Sequence, residues 1–253
     1  SDSNRQPITS MPEAMRHPKG GIMVLFGTGS YFSTSDNAAA RIEAIYGVRD
    51  YGSTELTRAD LLKQKILAEA DDTRIVSNTE VDYSTKKGWY LPLVYPDTST
   101  TATGERVVND VVLSISKLIV TTLIPSAASS CDPGGNSWLM ELEPINGARL
   151  NYVVLDINND GALNDSDNKS YTETDSETGV TKTNTNTPVS GKKYSGLITT
   201  PTILDVDKSL CTDDCDTTED EIKYITNSSG QILRVIEKNN STNYGRQSWR
   251  QIR

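Results

Sequence analysis

Apolar residues along this chain fall in short alternating or compact runs, separated by turns rich in glycine, asparagine and aspartate. That rhythm predicts strands. "GIMVLFGTGSYF" (21–32) is an apolar run closing on a glycine turn, as a buried strand would. "GWYLPLVY" (88–95) reads as a strand that Pro92 places at an edge or a bulge, because proline has no N–H for a ladder. "RVVNDVVLSISKLIVTTLIP" (106–125) holds two or three strands with tight reversals, and "SWLMELEPINGARLNYVVLDI" (137–157) reads strand, turn at Asn146-Gly147, strand. "SGLITTPTILDVD" (195–207) gives a strand pair, "EIKYITNSSGQILRVIEK" (221–238) a hairpin, and "YGRQSWRQIR" (244–253) a last strand.

One segment breaks the rhythm. "LTRADLLKQKILAEA" (56–70) offers Thr57 as N-cap and Asp60 in a first turn, and Leu61, Leu62, Lys65, Ile66 and Leu67 continue at helical spacing, so a minor helix is expected there. Residues 1–20 are polar and aperiodic and read as a lead-in to the main body, 21–253. Residues 164–195 carry little apolar content and read as a mobile excursion. The stretches "WLMELEPINGARL" and "IKYITNSSGQILRV" share a strand–turn–strand plan anchored by Gly147 and Gly230. The expected class is all-β with a minor helix; repeated units with a glycine at the turn leave a propeller and a sandwich both open.

Composition narrows the partners. A chain of 253 residues with a formal charge of -9 is unsuited to nucleic acid or an anionic membrane surface as its main partner. No run reaches the ~18 apolar residues of a direct membrane span. Cys211 and Cys215 are spaced to close a surface loop by a disulfide or to stand as free thiols, and Cys131 is left over. A zinc site lacks a second ligand pair, since His17 is the only histidine. Trp89, Trp138 and Trp249 sit in apolar strands and read as packing residues.

The stretch with legible chemistry is "DINNDGALNDSD" (156–167). Calcium is a hard cation that takes about six to eight oxygens at ~2.3–2.6 Å. A tight loop supplies them when side chains at alternate positions turn inward and a glycine takes the sharp bend. The helix–loop–helix calcium loop uses its first, third, fifth, seventh, ninth and twelfth places. Here those are Asp156, Asn158, Asp160, the Ala162 carbonyl, Asn164 and Asp167, with Gly161 at the bend and Leu163 placed to pin the loop to a core. The bland alternative is a solvated loop of Asx-turns. Asp167 in place of a glutamate, and only three formal charges, point to weak binding at ~10⁻⁴–10⁻³ M. No amphipathic helix follows, and "LNYVVL" before the loop reads as a strand, so the loop is expected between strands.

Taken together, "VLFGTGSYF", "GWYLPL", "GERVVNDVVL", "TTLIPS", "SWLMELEPINGARL" and "GRQSWRQIR" resemble the C-terminal domain of the type IV pilus tip and assembly factors, the PilC/PilY family, from about Gly21 to Arg253. The resemblance implies a modified, quinoprotein-like β-propeller, of which this chain would be the C-terminal part. It places the calcium loop at Asp156, Asn158, Asp160, the Ala162 carbonyl and position 164, where an Asn stands in place of a common Asp and leaves Asp165 or Asp167 as substitutes. It also implies a protein at the outer membrane or pilus tip of a Gram-negative bacterium, working with minor pilins. The role would be pilus extension, twitching motility and attachment to host or abiotic surface ligands, with calcium occupancy as regulator. The Arg-Gly-Asp motif of some members is absent here. A ring of roughly six or seven blades at about 40–50 residues each exceeds this chain, so the piece alone is expected to aggregate or to need a companion segment. The competing readings are a quinoprotein-type propeller enzyme, a cellulosome-type docking module and a generic secreted adhesin with a calcium-stiffened loop. The first expects calcium at a ring centre, the second paired loops with helices.

Overall fold

The computed structural model describes residues 5–33, 36–37, 41–52, 55–114, 116–126, 135–174, 179–205 and 221–237. Five strands, β1 (Glu13–Arg16), β2 (Ile22–Gly27), β3 (Ala44–Asp50), β4 (Leu62–Lys63) and β7 (Gly88–Pro92), form a first sheet in the order β1-β2-β3-β7-β4. The second sheet contains β5 (Ile66–Ala70), β6 (Thr73–Val76), β8 (Val112–Ser114), β9 (Lys117–Pro125), β10 (Gly135–Leu142) and β13 (Gly191–Ser195), ordered β5-β6-β13-β10-β9-β8. A hairpin, β11 (Lys169–Thr174) with β12 (Thr181–Thr187), and a third sheet, β14 (Thr202–Asp205), β15 (Glu221–Thr226) and β16 (Ile232–Glu237), complete the set. Pairing is antiparallel except where the two-residue β4 runs beside β7.

The layering follows from side-chain alternation. Strands β9 and β10 are buried on both faces. Leu118, Val120, Trp138, Met140 and Leu142 face a core shared with Met23, Leu25, Ile45, Trp89 and Leu91 of the first sheet. Ile119 and Leu139 point the other way, into a core with Ile225 and Val235 of the third. The middle sheet thus lies face to face with both neighbours, as successive propeller blades do. Buried charge also joins the layers: Lys117 of β9 and Lys223 of β15 both reach Glu141 of β10. The fold is all-β and propeller-like; among the described residues no sheet closes on itself.

Several expectations need correction. The helix at 56–70 does not form. Thr57 and Asp60 do make the local cap, with the Thr57 N–H and hydroxyl each 2.8 Å from the Asp60 carboxylate. The turn ends after Arg58–Asp60, however, and Leu61 already has extended geometry. Leu62 pairs with Trp89, and Gln64, fully buried, spans to the Thr79 and Asn146 carbonyls at 2.7 Å each. Sheet pairing and a buried amide override modest helix propensity. The polar lead-in contains β1, and His17 behind it is 4% exposed, its ring edge-on to Tyr83 at 4.2 Å. The excursion 164–195 is built from β11 and β12, threonine-containing strands that pair with each other while staying largely exposed, and from β13, which joins the second sheet between β6 and β10. No strand forms over 150–155; Leu150, Val154 and Leu155 are instead anchored singly in the second core.

Trp89 and Trp138 are buried packing residues, as expected, while Trp249, the terminal strand and the three cysteines lie outside the described residues. Trp89 fits because two glycines make room. A Cβ on Gly47 would lie 2.3 Å from its indole nitrogen, and one on Gly147 2.2 Å from its ring. Its N–H donates to the Pro144 carbonyl at 3.0 Å.

Candidate metal centre

The chain enters the loop from Val154 and Leu155, both 1% exposed, so Asp156 starts from a fixed point and is itself 9% exposed. The loop then organises itself through its own backbone. The two Asp156 carboxylate oxygens accept the Asn159 N–H at 2.6 Å and the Gly161 N–H at 3.0 Å. Asn158 Oδ1 accepts from Asp160 N at 2.9 Å, Asp160 Oδ1 from Ala162 N at 2.8 Å, and Asn164 Oδ1 from Ser166 N at 2.8 Å. Asn159 and Gly161 both have positive φ, 59° and 82°, which reverses the chain tightly; asparagine and glycine tolerate that conformation best.

Asp167 closes the circuit. It is 1% exposed, and its carboxylate accepts Ile157 N at 3.0 Å and Asn164 N at 3.1 Å, tying the end of the loop to its beginning. The chain then passes through a short 3-10 turn, Asp165–Asp167, into β11. The Asp165 carboxylate accepts the side-chain amide of Asn168 at 3.4 Å. Leu163, expected to pin the loop, is only half-buried; Ile157 packs on the second core in its place.

The donor set suits a hard cation in kind. Each of the five side chains is oriented by a loop N–H, and an oxygen that accepts one such bond keeps a second lone pair. Among the described residues no three His, Cys, Asp or Glu side chains cluster as a metal site, so an ion here must draw on amide and main-chain oxygens beside the carboxylates. Calcium accepts such mixed oxygen ligands; zinc, with its preference for nitrogen and sulfur, does not. One arrangement opposes the ion: Asn158 Nδ2 lies 2.8 Å from Asp160 Oδ2 and 2.8 Å from Ser166 Oγ, occupying an oxygen that a cation would claim.

No local pattern points to Lys192. It stands on β13, and its ammonium donates to the Asp156 carbonyl at 2.9 Å and to Asn159 Oδ1 at 2.7 Å. Burial lowers its pKa, while the charges of Asp156 and Asp167 act the other way. This contact fastens the loop to a central strand, and 36 residues of separation hide it from any local pattern.

No family model matches the chain. It is 30% identical to the type IV pilus biogenesis factor PilY1 of Pseudomonas aeruginosa over 98% of its own length, and 32% identical over 60% of its length to a PilY1 homolog of Xylella fastidiosa. This chain belongs to the PilY1 family. It spans 21% of the Pseudomonas aeruginosa relative and 10% of the Xylella fastidiosa one. The crystal structure of the Pseudomonas aeruginosa PilY1 C-terminal domain superposes with a TM-score of 0.70 at 24% identity, covering 94% of this chain and 46% of that one. The PilY1-family fold is therefore common to both. Among the described residues no helix is long and apolar enough to cross a membrane.

Proposed function

We propose that this chain is a calcium-binding, non-catalytic part of a type IV pilus biogenesis factor, acting at the bacterial surface or pilus tip with minor pilins. Its role is to support extension, twitching motility and attachment to host or abiotic surface ligands. The names of its relatives support the pilus role. The calcium reading is carried by one observation: five oxygen-bearing side chains within twelve consecutive residues, Asp156, Asn158, Asp160, Asn164 and Asp167, each held by a backbone N–H of the same loop. The Ala162 carbonyl would supply the sixth oxygen. Bound calcium would displace the Asn158 amide from Asp160 and stiffen the loop between the second core and β11. Lacking a second helix to swing, it would act by rigidity and not by opening a groove.

Quinoprotein-type catalysis gains no support from a ligand set made by consecutive residues at the periphery of a sheet. His17 is an unsuitable general base as well: burial, then the charges of Arg49 and Lys19, hold its pKa below the ordinary histidine value. Titration calorimetry with calcium on the native chain and on Asp156→Ala tests the site. Binding at ~10⁻⁴–10⁻³ M, lost in the variant, is expected; a native chain that gives no heat refutes the site, and equal heats move it elsewhere. Retention of minor pilins on the immobilised chain separates the pilus reading from a generic secreted adhesin.

A further inference from the structure

A second polar feature lies where the first sheet, the second sheet and the β11–β12 hairpin meet. A cleft of about 290 Å³ is bordered by Lys63 of β4, Lys65, Asn78, Arg149, and Tyr171 and Glu173 of β11. For a chain of net charge -9 this is an unusual gathering of cations. Two of them are partly neutralised: Asp97 stands 2.5 Å from the Lys63 ammonium and 3.6 Å from that of Lys65. Arg149 is different. Its main chain is fixed, with its N–H on the Ser77 carbonyl at 3.1 Å and a bridge to Leu142, but its buried Nε has no hydrogen-bond partner among the described residues. A buried guanidinium N–H without an acceptor is costly, and a carboxylate is the planar acceptor that matches it.

The remaining walls restrict the ligand. The exposed Glu173 carboxylate disfavours a doubly charged anion such as phosphate and invites a hydroxyl donor. Ser77, Asn78 and Thr79 add short polar groups, and the Tyr171 ring and Leu67 offer apolar surface for a ring to lie against. The volume equals about ten waters at ~30 Å³ each, room for one sugar ring. Burial raises the Tyr171 pKa, partly offset by Arg149, so the phenol is neutral and can donate.

We propose that this cleft binds a singly charged acidic sugar residue, with Arg149 on the carboxylate, Lys65 beside it and Glu173 accepting from a ring hydroxyl. The assignment does not rest on the cation reading, and its test is run with a chelator present. D-glucuronate is titrated into the full 253-residue chain, with D-glucose and inorganic phosphate as comparators. Glucuronate is expected to bind in the millimolar range, with glucose and phosphate weaker by about tenfold or more. Arg149→Gln should lose about tenfold with an unchanged melting temperature, because its buried Nε has no hydrogen bond to lose among the described residues, and Lys65→Gln should lose about threefold. Absence of glucuronate binding at about 10 mM, or undiminished binding in both variants, overturns the site. Phosphate binding as strong as glucuronate overturns the sugar assignment, since charge alone would then account for it.

Discussion

The loop at 156–167 and the buried centre around Arg74 both gather charge, and they hold it by opposite means. In the loop, carboxylates and amides are held by N–H groups between two and ten residues away. At the centre, Arg74, 1% exposed, forks onto both oxygens of Glu105 at 2.7 Å, a partner 31 residues distant. Its Nε reaches Glu69 at 2.8 Å, its guanidinium lies 4.1 Å from the Trp138 ring, and Thr122 donates to Glu105 at 2.7 Å. This centre is satisfied by the fold alone. In the loop each carboxylate and amide oxygen of the five candidate side chains accepts at least one N–H, and the lone-pair capacity left over is what the proposed cation would use. Closed networks of the first kind fix a structure, and locally closed but electron-rich loops of the second kind are free to respond to solution conditions.

That contrast can be broken by experiment. Glu105→Ala leaves Arg74 buried with Glu69 as its remaining ion-pair partner among the described residues and is expected to cost about 3–5 kcal/mol, read from urea unfolding and identical with and without calcium. Calcium dependence in that loss would mean that the two regions are energetically one. Gly147→Ala drives a methyl into the Trp89 ring at a φ of 66°, with an expected loss of about 2–3 kcal/mol, also indifferent to calcium. For the loop the sign pattern reverses. Calcium at about ten times its Kd should stabilise the native chain by about 1.4 kcal/mol and Asp156→Ala not at all, seen as a melting shift present in one and missing in the other.

The smallest effect concerns pH. Burial raises the Glu143 pKa, opposed by the N–H groups of Ile145 and Asn146. A carboxyl whose folded pKa exceeds its unfolded value binds its proton more tightly when folded, so its contribution favours folding most at low pH and declines as pH rises through the elevated range. Glu143→Gln should flatten that part of the stability profile, and an unaltered slope would assign it to another group such as Glu69, whose pKa burial also raises.

Much of this was legible in one dimension. The hairpin β15–β16, the β8–β9 reversal and the turn before Gly147 lie where alternation and turn residues put them, because a hairpin's partners are neighbours in sequence. The loop's internal bonding follows its Asx and glycine spacing for the same reason. Failures came where a distant segment supplied the deciding partner. Residues 61–70 satisfy a helical pattern locally, yet Trp89, Thr79 and Asn146 claim Leu62 and Gln64. The threonine-rich stretch after the loop looked unanchored until β12 paired with β11.

Residue order alone set the all-β character, the family and the run of oxygens from Asp156 to Asp167, since each depends on periods of a few residues or on the run of residues along the chain. Tertiary structure decided that β13 slots between β6 and β10, that Lys192 clasps the loop, and that Arg149 borders a cleft with its Nε lacking an acceptor among the described residues. Those outcomes depend on which chain segments meet across tens of residues, where burial and hydrogen-bond satisfaction outweigh local preference.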